Sequence, residues 1–273
     1  MISSPLRALL GLALACTLAR AGEQDAKPAA DDAPIGTKPL LLLEDFETTA
    51  TGQIPRGWQK TGAVAVVEDM GHSGRRSLRM EAAPNGPRRI SMKGNVLTQL
   101  GGQHWGRLYF KVQMPAPEAA TGVIHSTLVA GSAQSPQHKD PIEVRVLDTV
   151  MNNKGAHQWI YNVQPQKRGE FGKGSGYNFK YSDEWTLAEW SVDFATQSYR
   201  LFINGEEVKD IAFSKGAGKF EGAEIPEVFE SLSFGWNNYQ GAGKGFVAWI
   251  DDIALAKERI GTRGLPPVKP KKS

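Results

Sequence analysis

The chain has 273 residues, 32 Lys and Arg against 29 Asp and Glu for a formal charge of +3, 40% hydrophobic residues and one cysteine. So small a positive excess leaves no electrostatic footprint for nucleic acid, and a lone cysteine excludes disulfides.

The run LRALLGLALACTLARA over residues 6–21 ends in the small-x-small pattern Ala19-Arg20-Ala21 and reads as an export signal covering residues 1–21. It is too short for a good transmembrane helix. Cys16 opens an alternative, a lipoprotein signal in which the cysteine becomes the lipidated first residue and anchors the protein at the cell surface, although Ala13 stands where leucine is usual. Either way the folded domain has no thiol, which rules out cysteine nucleophiles and thiolate metal sites. Cleavage removes Arg7 and Arg20 and takes the formal charge from +3 to +1. Residues 22–38, rich in Ala, Asp, Pro and Gly, predict a disordered tether, and residues 262–273 a disordered tail. Residues 39–261 are then one exported domain, secreted or periplasmic and expected to be a monomer.

Within it the signal is strand after strand: residues 40–46, 63–68, 77–82, 106–114, 122–130, 142–148, 158–164, 186–194, 198–203, 231–236 and 246–256, with a helical turn only over 226–229. Asn204-Gly205 predicts a tight hairpin. The chain therefore reads as antiparallel all-β.

Parity divides each strand into two faces. Leu108, Phe110 and Val112 alternate with Tyr109, Lys111 and Gln113; Ile124 and Leu128 with His125 and Thr127; Ile142, Val144 and Val146 with Glu143 and Arg145. Later, Trp190, Val192 and Phe194 alternate with Glu189, Ser191 and Asp193, and Leu232, Phe234 and Trp236 with Ser233, Gly235 and Asn237. His, Arg, Gln, Tyr, Glu, Asp and Asn lined up on the polar faces predict a groove that hydrogen-bonds the hydroxyls of an extended ligand. Acidic groups close the first and last strands. If those strands lie side by side, Asp45, Glu47, Asp251 and Asp252 come together, and four carboxylates that close suit a joining Ca²⁺.

The segments EDFET…GQIPRGW, GHSGRRSLRM, EWSVDFATQSYRLFINGEEV and FESLSFGWNNYQ…WIDDIAL resemble the concanavalin A-like jelly-roll superfamily, and within it the secreted cellulose-induced-protein-like domains related to alginate and glucuronan lyases. The resemblance implies an antiparallel two-sheet jelly-roll sandwich, a concave groove for polysaccharide and a structural calcium. Its ligands would come from Asp45, Glu47, the loop at residues 72–74 with Ser73, and Asp251 with Asp252, His72 being a turn residue.

Lyases of this kind act by β-elimination, which needs a group to neutralise the substrate carboxylate, a base and an acid. Arg145, Gln113 or Asn237 serve the first role, His125 the second, and Tyr239, Tyr161 or Tyr177 the third. Val123-Ile124-His125 resembles the QIH motif of alginate lyases but has Val123 in place of the glutamine. Tyr109, Lys111, Glu143, Glu189, Asp193, Trp236 and Asn237 are the expected sugar contacts. A glycosidase would need a carboxyl pair from Glu143, Glu189 and Asp193, yet Glu189 and Asp193 on one strand face stand about 13 Å apart, too far for either mechanism. Gly71–Gly74 lacks the last glycine of a nucleophile elbow, and no H-x-x-x-H pair suggests zinc. Three readings stay open: a polysaccharide lyase, a non-catalytic carbohydrate-binding module with Trp236, Trp105 or Tyr239 as aromatic platforms, and a structural surface protein.

Overall fold

The computed structural model describes residues 35–68, 70–116, 122–135, 137–167, 169–214, 225–241, 245–263 and 265. The expected export signal, Cys16, the tether up to residue 34 and the tail from residue 266 lie outside the described residues.

Fifteen strands are described: β1 (Leu42–Glu44), β2 (Gln59–Thr61), β3 (Val64–Val67), β4 (Ser77–Met80), β5 (Gly86–Lys93), β6 (Gln103–Val112), β7 (Val123–Gln134), β8 (Pro141–Asn152), β9 (His157–Pro165), β10 (Phe171–Gly174), β11 (Thr186–Asp193), β12 (Ser198–Ile203), β13 (Glu206–Glu207), β14 (Ser231–Asn238) and β15 (Ala248–Ala256). The first sheet runs β13-β12-β11-β6-β15-β4-β3, with β1 also paired to β15, and the second β10-β9-β8-β7-β14-β5-β2. All pairings are antiparallel.

The oily parity of each sheet faces the other. Phe110 of the first sheet meets Trp236 of the second with ring centroids 6.2 Å apart, Trp190 meets Phe234 at 6.4 Å, and the Tyr199 hydroxyl crosses the sandwich to donate to the Val146 carbonyl at 2.6 Å. This interlocking of large apolar side chains supplies the main stabilisation of the fold. The hairpin at Asn204-Gly205 forms with φ of 51° and 89°, the left-handed pair that a type I′ turn requires.

Three departures from the sequence expectation are informative. Strand β5 opens with Gly86-Pro87 followed by Arg88-Arg89, which interrupts any apolar alternation. Arg88 nevertheless takes the inward parity of Ile90 and Met92 and is 2% exposed, donating to the carbonyls of Glu81 and Phe246 and to Asn238 Oδ1. The only α-helix among the described residues is the short α1 (Asn95–Leu100), and over residues 226–229 there is no helical turn but a bend at 227 and 228. Finally, order runs past both expected bounds of the domain. Gly36 N–H donates to the Arg259 carbonyl, Lys38 pairs with Glu258 at 2.7 Å, and Arg263 reaches the Lys38 carbonyl at 2.6 Å.

Candidate functional site

The outer face of the second sheet carries an open cleft of about 550 Å³ lined by Glu143, Arg145, Gln164, Asn237 and Tyr239 among others. Sheet register assembles it. Glu143 of β8 lies opposite Gln164 of β9, and Arg145 opposite Asn162. Arg145 accordingly donates to Gln164 Oε1 at 3.0 Å, approaches Asn162 Oδ1 at 3.5 Å, and donates through Nε to Glu143 Oε1 at 3.2 Å. Its guanidinium carbon lies 4.1 Å from the centroid of the Tyr239 ring, a stacked cation–π contact.

Next to this group lies a dyad that parity conceals. Between Arg145 and Asp148 strand β8 advances three residues while β9, from Asn162 to Ile160, advances two. The extra residue is a β-bulge, and it turns Asp148 onto the face of Glu143 and Arg145 while Val146 and Leu147 both stay in the core. Asp148 is fully buried. Its Oδ2 lies 2.6 Å from His125 Nε2, and its Oδ1 accepts the hydroxyl of Thr127, its direct partner on β7, at 2.9 Å. Burial pushes the Asp148 carboxyl up, against the stabilising pull of His125. A neutral His125 that donates a hydrogen bond from Nε2–H to Asp148 keeps a lone pair on Nδ1. Tyr239 completes the group with its ring 4.9 Å from that of His125 and its hydroxyl 3.1 Å from Thr127 Oγ1 and 3.2 Å from Glu143 Oε1. Burial, and next the charge of Glu143, push the Tyr239 phenol up to about 12. It therefore holds its proton at neutral pH.

His125, Arg145, Tyr239, Glu143 and Asn237 are thus on one face. Thr127, which alternation put on the same polar face as His125, joins them, and so do Asp148, Asn162, Gln164 and Arg89, which alternation did not single out. The remaining expected residues are elsewhere. Tyr109, Lys111, Gln113, Glu189 and Asp193 belong to the first sheet, whose polar parity points to the opposite outside of the sandwich. Tyr109 stacks on His72 at 3.6 Å, Lys111 pairs with Asp183, and Gln113 accepts from Val247 N–H. Glu189 accepts the N–H groups of Ile260 and Gly261, and Asp193 caps a turn at Thr196. Trp236 is fully buried between the sheets and Trp105 is 4% exposed, so neither is a sugar platform. Of the alternative tyrosines, Tyr161 lies in the core against Tyr199, and Tyr177 bonds Gln158.

The acidic seam does bring β1 beside β15. Asp251 accepts His72 N–H, Asp252 accepts the Ser73 hydroxyl and lies 2.6 Å from His72 Nδ1, Glu47 accepts the N–H groups of Arg75 and Arg76, and Asp45 accepts Glu47 N–H. Among the described residues no three His, Cys, Asp or Glu converge as a ready metal cage. The donor chemistry is still that of a hard cation. Burial, then the neighbouring Asp252 charge, push the Asp251 carboxyl up to about 8, and Glu47 adds to that repulsion.

No protein-family model matches the chain, and no curated protein matches it. Among solved structures it is similar to cellulose induced protein Cip1, with 18% identity and a TM-score of 0.55 over 81% of this chain and 99% of that one. It is also similar to the endo-β-1,4-glucuronan lyase of the fungus Trichoderma reesei, with 10% identity and a TM-score of 0.52 over 85% of this chain and 100% of that one. Identities this low speak to architecture and leave the site to be argued from its own residues. The architecture is an antiparallel two-sheet jelly-roll sandwich.

Proposed function

We propose that the chain is an exported polysaccharide-binding jelly-roll whose cleft cleaves uronic-acid polymers by β-elimination. The observation that carries this reading is the convergence of His125, Tyr239 and Arg145, with the buried Asp148 behind the histidine. Arg145 and the Gln164 and Asn162 amides would hold the substrate carboxylate and lower the cost of a carbanion beside it. His125 would remove the proton from that carbon through Nδ1. The electron pair left behind forms the new carbon–carbon double bond as the bond to the linking oxygen breaks, and the Tyr239 phenol gives that oxygen its proton. The proton taken from carbon ends on His125 and the one lost by Tyr239 is replaced from water, so the step balances. A hydrolytic carboxyl pair is less well supported, because Asp148 is fully buried and Glu143 is held by two arginines.

The test is ultraviolet absorbance of unsaturated products from purified protein and a panel of uronic-acid polymers. Product formation that His125→Ala abolishes supports elimination. Polysaccharide binding without product identifies a binding module, and neither result would leave a structural surface protein. We also propose a structural calcium at the seam, held by oxygens of Glu47, Ser73, Asp251 and Asp252 with Asp45 nearby. The side-by-side burial of the Asp251 and Asp252 carboxyls, with the hydroxyl of Ser73 on Asp252, supports it, and melting with chelator against added calcium tests it. Export is tested by mass spectrometry of the mature N-terminus. A start at Gly22 marks a freely exported protein, a lipidated Cys16 a membrane-anchored one, and a retained Met1 refutes both.

A further inference from the structure

Glu143 stands where a ligand's carboxylate would stand. Its Oε1 accepts from Arg145 Nε and from the Tyr239 hydroxyl, each at 3.2 Å, and its Oε2 accepts from Arg89 Nη1 at 3.3 Å. Two guanidinium groups and a phenol around one carboxylate are the donor set by which a protein grips a free carboxylate ligand. The two sides of this contact differ in freedom. The Arg145 side chain is 4% exposed and anchored from behind by Gln164 and Asn162, with Glu170 Oε2 at 3.7 Å, whereas the side chains of Glu143 and Arg89 are 23% and 27% exposed. The half-exposed Glu170 at 3.7 Å is a weak counterion for so poorly solvated a guanidinium, so Glu143 leaves at low cost only when another carboxylate takes its place.

We propose that Glu143 is a specificity-determining residue that occupies the substrate's carboxylate position until a uronate displaces it. This rests on the elimination reading for the nature of the substrate, and it names what that reading leaves open, which is how a cleft whose arginine is already paired selects its ligand. A neutral sugar offers nothing to exchange for Glu143. A uronate restores every charge contact that Glu143 gives up and adds its hydroxyls to the amides of Gln134, Gln164 and Gln166 along the cleft.

The experiment titrates the mature protein with glucuronate, following heat of binding and the ¹⁵N-edited Nε–H resonances of the arginines. Glu143→Gln keeps the shape and one acceptor oxygen, and Glu143→Ala is the second variant should the first fail to fold. The expected result is glucuronate binding at least about tenfold tighter in the variant than in wild type, with the Arg145 resonance shifted on binding and the gain abolished by Arg145→Ala. Unchanged or weaker binding in both variants would overturn the proposal, because Glu143 would then be a ligand contact. The two readings separate cleanly. A gain in glucuronate binding with no unsaturated product from any polymer keeps the stand-in role and removes elimination; product from wild type with no gain in the variants does the reverse.

Discussion

Glu143 and Glu189 have the same sequence context, a glutamate on the polar parity of a strand whose other parity is oily, and the folded chain uses them in opposite ways. Glu143 lies on the outside of the second sheet at the edge of an open cleft and is 23% exposed. Glu189 lies on the outside of the first sheet under the chain's own C-terminal segment, where it is 1% exposed, accepts the N–H groups of Ile260 and Gly261 at 2.6 and 2.8 Å, and pairs with Arg259 at 3.1 Å. Both outer faces are polar, but one is left for a ligand and the other is covered by residues 259–263. Alternation says that a side chain leaves the core. It does not say on which side of the sandwich the side chain emerges, because that depends on which sheet the strand joins.

The largest expected effect tests this contrast directly. Glu189→Ala takes the acceptor from two buried N–H groups and one partner from Arg259 and should cost on the order of 3–5 kcal/mol of stability. Glu143→Gln should change stability by less than about 1 kcal/mol, as expected of a part-exposed position that keeps its shape. Chemical denaturation of both variants measures the difference. Equal losses would mean that the C-terminal segment does not depend on Glu189 and that the two faces are not distinguished as described.

A second pair of residues sharpens the comparison at low pH. His125 borders the cleft, whereas His104 is fully enclosed among Trp190, Phe194 and Phe229 and its Nε2 has no hydrogen-bond partner. Burial holds the His104 pKa down at about 3, and burial likewise brings His157 to about 4. Both are neutral in the fold, while an unfolded chain takes up their protons near pH 6.5. The unfolded state therefore binds more protons below that pH, so this stability is complete above about pH 6.5 and drains away as the pH falls toward 3–4, by several kcal/mol for the pair at most. His104→Leu should flatten that acid limb in pH-dependent unfolding. His125→Ala should instead lower turnover about 10²–10⁴-fold, and the buried Asp148 oxygen left without its partner should cost about 1–3 kcal/mol of stability. An acid limb unchanged by His104→Leu would show that His104 is not held neutral by burial, and full turnover in His125→Ala would remove His125 from the chemistry of the cleft.

How much of this was legible in the sequence follows from the same physics. Strand existence and the hairpin at Asn204-Gly205 came through because period-two alternation and left-handed turn residues are local signals. His125, Arg145, Tyr239, Glu143 and Asn237 were legible as off-core residues and do share one face. Asp148 was not, since a one-residue bulge inverts parity within a single strand and bulges leave no mark in an alternation pattern. Strand β5 was hidden for a different reason. Arg88 reads as a surface residue, yet its inward position is satisfied by two backbone carbonyls and Asn238, so a charged residue occupies an apolar slot. Tyr109, Lys111, Gln113, Glu189 and Asp193 were placed on the wrong side because sheet membership is set by long-range pairing.

The smallest expected effect concerns Tyr239, and it separates a positioned acid from an ordinary groove tyrosine. Its hydroxyl is hemmed in by Thr127 and Glu143, and burial together with the Glu143 charge carries its pKa up to about 12 from the usual 10. A solvated tyrosine on an open sheet would titrate near 10. The difference in ultraviolet absorbance between wild type and Tyr239→Phe, followed as the pH is raised, should therefore develop near pH 12, and activity should show no alkaline loss assignable to this residue below about pH 11. Tyr239→Phe removes one hydroxyl that bridges two partners, so its stability cost should stay near 1 kcal/mol. A difference spectrum that develops near pH 10 would show the hydroxyl to be solvated, and a phenol in that state has no fixed place from which to protonate a leaving oxygen.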